Sequence, residues 1–312
     1  MENNVLVSVF LVSYYNCELI HDAVKRISQQ DYSRMELIVS DDGTVGYSRE
    51  QMEKDVKPFQ HYFERIIINK NQQNEGTVKH LNRVINLANG EIICGIGIDD
   101  YFADESVVSN VVKFFHEHEQ FDVITSKRYE ESTSIVLPTL YIQKMLDQNQ
   151  DKYRKMMFRI TPQICNIGTF YKKSCFEKHG LFPEEFKLVE DAPYLSLLVA
   201  RGVEIGWMDY VTAIHAAGGV TCKEKRRNII WAEDRTYLYE KWLPSLLSEK
   251  DAYSLRCLKF HAARSRAVTN KTLILCFLKY FDVCIYLFCC LGLSAIKEGF
   301  TDIKNIMINH KV

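Results

Sequence analysis

The chain has 312 residues, 47% of them hydrophobic and 25% charged, with a formal net charge of -1. That balance suits a globular chain with a sizeable core, one large domain or one plus an appendage, and the absence of a long basic block or a stacking-aromatic module argues against nucleic acid as a partner. Ten scattered cysteines without C-x-x-C spacing argue against zinc, and an acidic residue ahead of a short N-terminal apolar run argues against a secretory signal, so free thiols in a reducing cytoplasm are expected.

In chain order, "NVLVSVFLVSYYN" reads as a buried strand, and "CELIHDAVKRISQQ" changes to helical spacing with Leu19, Ile20, Ala23, Val24 and Ile27 on one face. A second strand, "MELIVSDDGT", ends on carboxylates and a glycine; "FERIIINKN" and "GEIICGIGIDD" repeat the theme, with "TVKHLNRVINLA" as a helix between them. This alternation predicts a parallel α/β sheet, whose ligands bind where the strands end. "SVVSNVVKFFHEH" reads as a helix, whereas residues 126–165 show little periodicity and are expected to form a substrate-facing insertion. "CNIGTFYKKSCFEKHGLFPE" reads as a strand leading to a short helix, and "EDAPYLSLLVARGVEIGWMD" as a helix, Gly202 and another strand. Past residue 228 the pattern is helical, and it is unusually apolar from Leu273.

The polar residues of interest stand at strand ends. Asp41 and Asp42 in "VSDDGT" fit a tight turn, or a carboxylate that accepts from a base N–H or a ribose hydroxyl. Tyr14 in "VSYYN" fits either the edge of the core or a stack on a nucleobase. Asp99 and Asp100 close the run "GIGIDD". Two strand ends that bring carboxylate pairs to one sheet edge need a counter-charge, and a hard cation such as magnesium or manganese takes carboxylate and diphosphate oxygens together. "GIGIDD" lacks the third glycine of a dinucleotide fingerprint. Glu190 and Asp191 in "KLVEDAPYL" precede a helix, where an aspartate serves as a cap or, beside a metal site, as a general base. His215 is a candidate metal ligand or diphosphate contact, and Lys223, Lys225, Arg226 and Arg227 form either a solvated face or a cover over phosphates.

In this order the segments "VSVFLVSYYN", "ELIVSDDGT", "NEGTVKHLNRVINLANGEIICGIGIDDYF", "GTFYKKSCFEKHGLFPE" and "EDAPYLSLLVARG" resemble glycosyltransferase family 2, the inverting transferases of GT-A fold, over residues 5–220. The resemblance implies a GT-A nucleotide-diphospho-sugar transferase fold, a mostly parallel central sheet flanked by helices. It implies donor binding by Tyr14, Asp42, Lys79 and Asp99, a divalent cation (Mn or Mg) on Asp100 with His215, and Asp191 as catalytic base. The expected partners are a nucleotide-diphosphate sugar donor and a glycan or lipid-linked glycan acceptor, in bacterial surface polysaccharide synthesis of the capsule or O-antigen type. Three departures stand out: Gly97 replaces the outer Asp of D-x-D-D, Leu81 replaces an Arg before Asn82, leaving Lys79 as its substitute, and the first strand ends on a doubled tyrosine. They leave room for a non-catalytic nucleotide-sugar-binding or assembly protein on the same fold. A metal-independent nucleotidyltransferase is disfavoured by the lack of a glycine-rich basic phosphate loop.

The domain reading is a transferase domain over 1–228 and a helical C-terminal region over 229–312, with the apolar segment 272–296. Residues 283–296 are uncharged but fall short of the roughly 20 needed to span a bilayer, and extension back to Thr272 includes Lys279 and Asp282. From Ser254 to Phe281 the chain carries Arg256, Lys259, Arg264, Arg266, Lys271 and Lys279 and no acid. The expectation is a cytoplasmic protein attached peripherally to the inner face of the cytoplasmic membrane, with a buried hairpin or an oligomer contact as the alternative.

Overall fold

The computed structural model describes residues 5–160, 164–217, 229–247, 251–267 and 269–292. The domain boundary expected at 228 and the basic run Lys223, Lys225, Arg226 and Arg227 lie outside them, as do residues 293–296 of the apolar segment. The described residues fall into two compact units, the first within Met1–Pro138, Ile164–Tyr194 and Val203–Gly219, the second within Thr139–Gln163, Leu195–Gly202 and Val220–Val312.

The first unit begins with β1 (Val7–Ser13), α1 (Ile20–Ile27), β2 (Met35–Asp41), α2 (Arg49–Val56), β3 (Arg65–Lys70), α3 (Thr77–Leu87) and β4 (Ile92–Gly97). It continues with β5 (Tyr101–Phe102), α4 (Val107–Glu117), β6 (Val123–Glu130) and β7 (Ile135–Leu137). After α5 (Leu140–Gln148) and α6 (Gln150–Met157) of the second unit, the chain returns for β8 (Thr169–Lys172), α7 (Lys173–His179), the start of α8 (Asp191–Ala200) and β9 (Ile205–His215). Among the described residues nine strands form one sheet in the order β3-β2-β1-β4-β8-β6-β9-β5, with β7 on β6.

Apolar spacing explains the layers. Every residue of β2 is buried, as expected for a strand with helices over both faces. On one face Val9, Leu11, Leu37, Val39, Cys94 and Ile96 share a core with Ile20, Val24 and Ile27 of α1 and with Val108, Val111 and Val112 of α4. Leu19, expected on the buried stripe, is instead exposed in a 3₁₀ turn that precedes α1.

The sheet is mixed. β1, β2, β3 and β4 are mutually parallel, β8 runs antiparallel to both β4 and β6, and β9 is parallel to β6. The carboxyl ends of β1, β2, β4, β6 and β9 therefore share one edge. The expected irregular insertion at 126–165 is corrected: residues 126–130 continue β6 inside the sheet, and α5 and α6 follow. The strand is hard to see because β6 carries Thr125, Ser126, Lys127 and Arg128 in its middle and Glu130 at its end, which leaves no apolar alternation.

At the opposite edge Glu36 is buried with no cation paired to it among the described residues. It accepts hydrogen bonds from Ser8 Oγ (2.5 Å), from the backbone N and the Nδ2 of Asn89 (2.6 and 3.1 Å) and from Gly90 N (3.3 Å). Burial opposes its ionisation, but these donors outweigh that and hold its carboxyl below the usual range. Glu36→Ala leaves buried N–H groups without acceptors and should destabilise the protein by about 3 kcal/mol. Denaturant unfolding measures it, and an unchanged midpoint would mean water replaces the carboxylate.

The second unit also holds α9 (Ile229–Tyr237), α10 (Leu243–Leu246), α11 (Ala252–Arg266), α12 (Asn270–Lys279) and α13 (Phe281–Leu291). Asp251 caps α11 through the N–H groups of Tyr253 and Ser254 and pairs with Arg159. Buried His261 donates from Nε2 to the Arg159 carbonyl (3.1 Å) and stacks on Tyr239. Burial, reinforced by Arg264, pushes its pKa down to about 3. An unfolded histidine titrates near 6.5, so between about 6.5 and 3 the unfolded chain binds the extra proton and stability falls as pH falls. The denaturation midpoint should drop from pH 7 to pH 5 in the wild type. His261→Gln should show a shallower drop; equal slopes would remove His261 as the cause.

Candidate active site

The shared carboxyl edge is built around the point where the strand order changes direction, between β1 and its neighbours β2 and β4. Ser13 pairs with Asp41 and Val12 with Gly97, so the residues that follow these strands emerge side by side. Tyr14 and Tyr15 leave β1 with ring centroids 4.1 Å apart. Tyr15 takes the left-handed φ of 70°, and its N–H is held by Thr44 Oγ1 (2.9 Å). Both rings are exposed, Tyr15 the more so.

The two aspartates of "VSDDGT" divide the work. Asp41 is fully buried and accepts from Lys70 Nζ (2.6 Å), from Thr44 N (2.9 Å) and Oγ1 (2.6 Å), and from Cys17 Sγ (3.0 Å). Burial works against ionisation, yet Lys70 and Thr44 keep its pKa below the usual carboxylate value. Asp41 thus fixes the turn. Asp42 faces the other way: Oδ1 accepts from Asn71 Nδ2 (2.8 Å) and Glu75 N (3.0 Å), and Oδ2 from Gly76 N (3.1 Å). Asp42 thereby holds the 71–76 loop that leads into α3. Lys79 is exposed on the first turn of that helix, and Leu81 is buried beneath it. Asn82 is also buried and bonds both ways with Phe182, Nδ2 to O (2.9 Å) and Oδ1 from N (3.0 Å).

Gly97 explains its own departure from the D-x-D-D pattern. A Cβ there would lie 2.7 Å from Asp100 Oδ2 and 3.3 Å from Asp99 Oδ1, so the bare backbone lets both carboxylates fold back over the strand end. Asp99 is half-buried, and Asp100 is only 5% exposed, its Oδ1 accepting from Ala216 N (3.1 Å). Burial pushes the Asp100 pKa up to about 6, with Asp99 and Glu130 adding to the rise and His215 and the Ala216 N–H opposing it. β9 delivers His215 to the same place because β5 pairs with it, Tyr101 opposite Ile214.

Two residues of this cluster escaped the sequence reading. Glu130, opposite His215 in the β6–β9 pairing, accepts from Arg128 Nε at Oε1 (2.7 Å) and meets His215 Nδ1 at Oε2 (2.7 Å). Burial alone would raise its pKa, but His215 and Arg128 hold it down to about 2. The Glu130 hydrogen bond, ahead of the opposing effect of burial, raises the pKa of His215. A reading of "VITSKRYE" as a strand would have placed Glu130 at this edge.

Asp191 opens α8, half-buried, with Oδ1 accepting from Ala192 N (2.6 Å). Asn166 Nδ2 donates to Glu190 Oε1 (3.1 Å), and Val78 N, at the start of α3, donates to the Lys187 carbonyl (3.2 Å). The segment that carries Asp191 is thereby tied to the same edge as Asp42.

A family model described as "Glycosyl transferase family 2" matches residues 8–180, more than half of the chain and all of the strands that supply this edge except β9. The chain belongs to glycosyltransferase family 2. It is 35% identical over 100 residues to WcaA of Escherichia coli (strain K12), whose name places it, as a glycosyl transferase, in colanic acid biosynthesis; the match spans 32% of this chain and 34% of that relative. Among solved structures it is similar to the mannosyltransferase PcManGT from Pyrobaculum calidifontis, with TM-score 0.63, 15% identity, and 96% of this chain and 80% of that one covered. It is also similar to S. aureus TarS, with TM-score 0.60 and 16% identity; 89% of this chain is covered, but only 49% of TarS. At such identities these likenesses show the fold alone, that of GT-A glycosyltransferases, with helices following the sheet.

The acidic edge suits the divalent cation that this fold family implies. Asp100 and Asp99 gather negative charge at the end of β4, with Asp100 nearly buried. Among the described residues no three His, Cys, Asp or Glu side chains form a metal cage by themselves. A cation there would rely on diphosphate oxygens to complete its shell, as magnesium sites commonly do.

Proposed function

We propose that this protein transfers a sugar from a nucleoside-diphosphate donor to an acceptor hydroxyl, with inversion at the anomeric carbon. The observation that carries the reading is the gathering of Asp42, Asp99, Asp100 and His215, with Tyr14, on one carboxyl edge at the sheet's switch point. Tyr14 stacks on the base, Asp42 holds the 71–76 loop as a wall beside it, Asp99 meets the ribose, and Lys79 reaches the phosphates. Asp100 with His215 would hold the cation, Mn or Mg, which when bound supplies positive charge to the departing diphosphate. Asp191 takes the proton of the acceptor hydroxyl as its oxygen attacks C1 opposite the leaving group. PcManGT is solved with GDP-Man and Mn2+ and TarS 1-349 with UDP-GlcNAc, which supports this donor class. The name of WcaA supports a setting in bacterial surface polysaccharide synthesis; in that setting the acceptor is a glycan or lipid-linked glycan.

Gly97 and the buried Leu81 favour a second reading, a nucleotide-sugar-binding protein that does not turn over. A screen of nucleotide sugars for cation-dependent release of nucleoside diphosphate separates the two. Release above the spontaneous rate establishes transfer or hydrolysis, and tight cation-dependent binding without release supports the binder.

Peripheral attachment to the inner face of the cytoplasmic membrane belongs to the same reading. Among the described residues no single helix is long and apolar enough to cross a membrane, and α12 and α13 meet at 86°. They expose Ile274, Leu275, Leu278, Phe281, Ile285 and Phe288, with Lys271 and Lys279 exposed on α12. Such a surface suits insertion among acyl chains with lysines at anionic headgroups, each worth about 1 kcal/mol. In fractionated cells the wild type should pellet with membranes and be released by carbonate, and Leu275→Glu/Leu278→Glu should be mostly soluble. Equal partition of the two forms would remove this surface from membrane attachment.

A further inference from the structure

Glu130 and Arg128 have no place in the scheme above, yet Arg128 is buried, Glu130 half-buried, and their geometry is specific. Arg128 Nε donates to Glu130 Oε1 (2.7 Å), and the other carboxylate oxygen, Oε2, lies 2.7 Å from His215 Nδ1. β6 and β9 place Glu130 directly opposite His215. One residue further on, Ala216 N donates to Asp100 Oδ1 (3.1 Å), so the ring that Glu130 grips sits beside the acidic strand end. We propose that Glu130, braced by Arg128, is the positioning residue that fixes His215 with its proton on Nδ1 and its Nε2 lone pair offered to a divalent cation at Asp100.

The available donors fix the tautomer of the ring. An arginine Nε–H is always a donor, and an ionised carboxylate only accepts. With one oxygen committed to Arg128, the other can accept only from Nδ1–H of the ring. The neutral imidazole then has its lone pair at Nε2, the form in which histidine binds metal, and a carboxylate behind the ring is the common support of such ligands. The inference depends on the reading of Asp100 and His215 as cation ligands.

Glu130→Gln tests it because a glutamine has one acceptor oxygen for two N–H donors. Arg128 cannot give up its proton, so the ring must, accepting at Nδ1 from the amide and moving its own proton to Nε2, the nitrogen the cation needs. Two readouts apply to the full chain. Nitrogen NMR of the histidine rings without metal, at a pH high enough to keep the ring neutral, should show His215 protonated on Nδ1 in the wild type and on Nε2 in Glu130→Gln. Titration with Mn2+ in the presence of the nucleoside diphosphate identified by the donor screen, followed by the signal of the free ion, should show a 10- to 100-fold loss of affinity in Glu130→Gln and a similar loss in His215→Ala. Glu130→Asp, which keeps the carboxylate, should retain the Nδ1 proton and recover part of the affinity, and it separates positioning from misfolding. If Asp100→Ala weakens Mn2+ binding and neither Glu130→Gln nor His215→Ala does, Glu130 has no positioning role, although the cation reading stands. If Asp100→Ala also leaves Mn2+ binding unchanged, the cation reading itself fails. An unchanged His215 proton position in Glu130→Gln overturns the inference whatever the affinities.

Discussion

Asp191→Asn should lower turnover by roughly two to four orders of magnitude while donor binding stays near wild type. The substitution discriminates because asparagine keeps the size of the side chain and its acceptor oxygen. The 2.6 Å bond from Ala192 N to Asp191 Oδ1 is preserved, and asparagine caps a helix as well as aspartate does. What disappears is the capacity to take a proton. A helix cap would therefore tolerate the change in both stability and rate, whereas a base would lose the rate alone. The measurement is single-turnover transfer beside calorimetric titration of the donor nucleotide and a melting curve. A fall in rate with unchanged binding and melting assigns Asp191 as the base; an unchanged rate leaves it as the cap of α8.

Asp100→Ala should weaken cation and nucleotide binding together, by about 100-fold or more, since even residues that only support a metal ligand commonly account for 10- to 100-fold. The physical ground is the position of Asp100, nearly buried beside Asp99 where like charges accumulate. In the wild type, chelation with EDTA should reproduce the loss of nucleotide affinity, and in the variant it should add nothing. Nucleotide affinity indifferent to both the chelator and the substitution would show that the diphosphate is held without a cation. Because alanine also leaves Ala216 N without its acceptor, a melting curve beside the titrations separates lost cation binding from lost stability.

Much of this edge was legible in the sequence. The carboxylate pairs could be placed because a run such as "ELIVSDDGT" carries its own strand, its own end and its own turn within ten residues. The apolar stripes of α1, α3 and α4 were likewise local in origin. What was lost had distant causes. The 85-residue separation between Glu130 and His215 is closed only by β6 pairing with β9, a contact between residues far apart in the chain. The antiparallel entry of β8 between β4 and β6 has no local signature either, because a strand of four residues reads alike in both directions. Asp41 and Asp42 were indistinguishable as neighbours in a string; their division between Lys70 and the 71–76 loop follows from the alternation of side chains across β2.

Both oxygens of Asp42 are engaged by Asn71, Glu75 and Gly76, so on the proposed reading the 71–76 loop sets the shape of that flank of the donor crevice. Altering the nucleotide preference of this scaffold therefore calls for exchange of the 71–76 loop as a block. A point replacement at 42 would collapse the wall before it could reshape it. Gly76 must travel with any graft: its φ of 87° is one that other residues rarely adopt, and a Cβ would press to 3.1 Å from the Lys187 carbonyl. That carbonyl is the one that receives Val78 N, on the strand of chain leading to Asp191. If Asp191 is the base, a loop swap that shifted Gly76 would thus retune donor choice and displace Asp191 in the same move, and variants selected for a new donor should be expected to need compensating changes between residues 182 and 190.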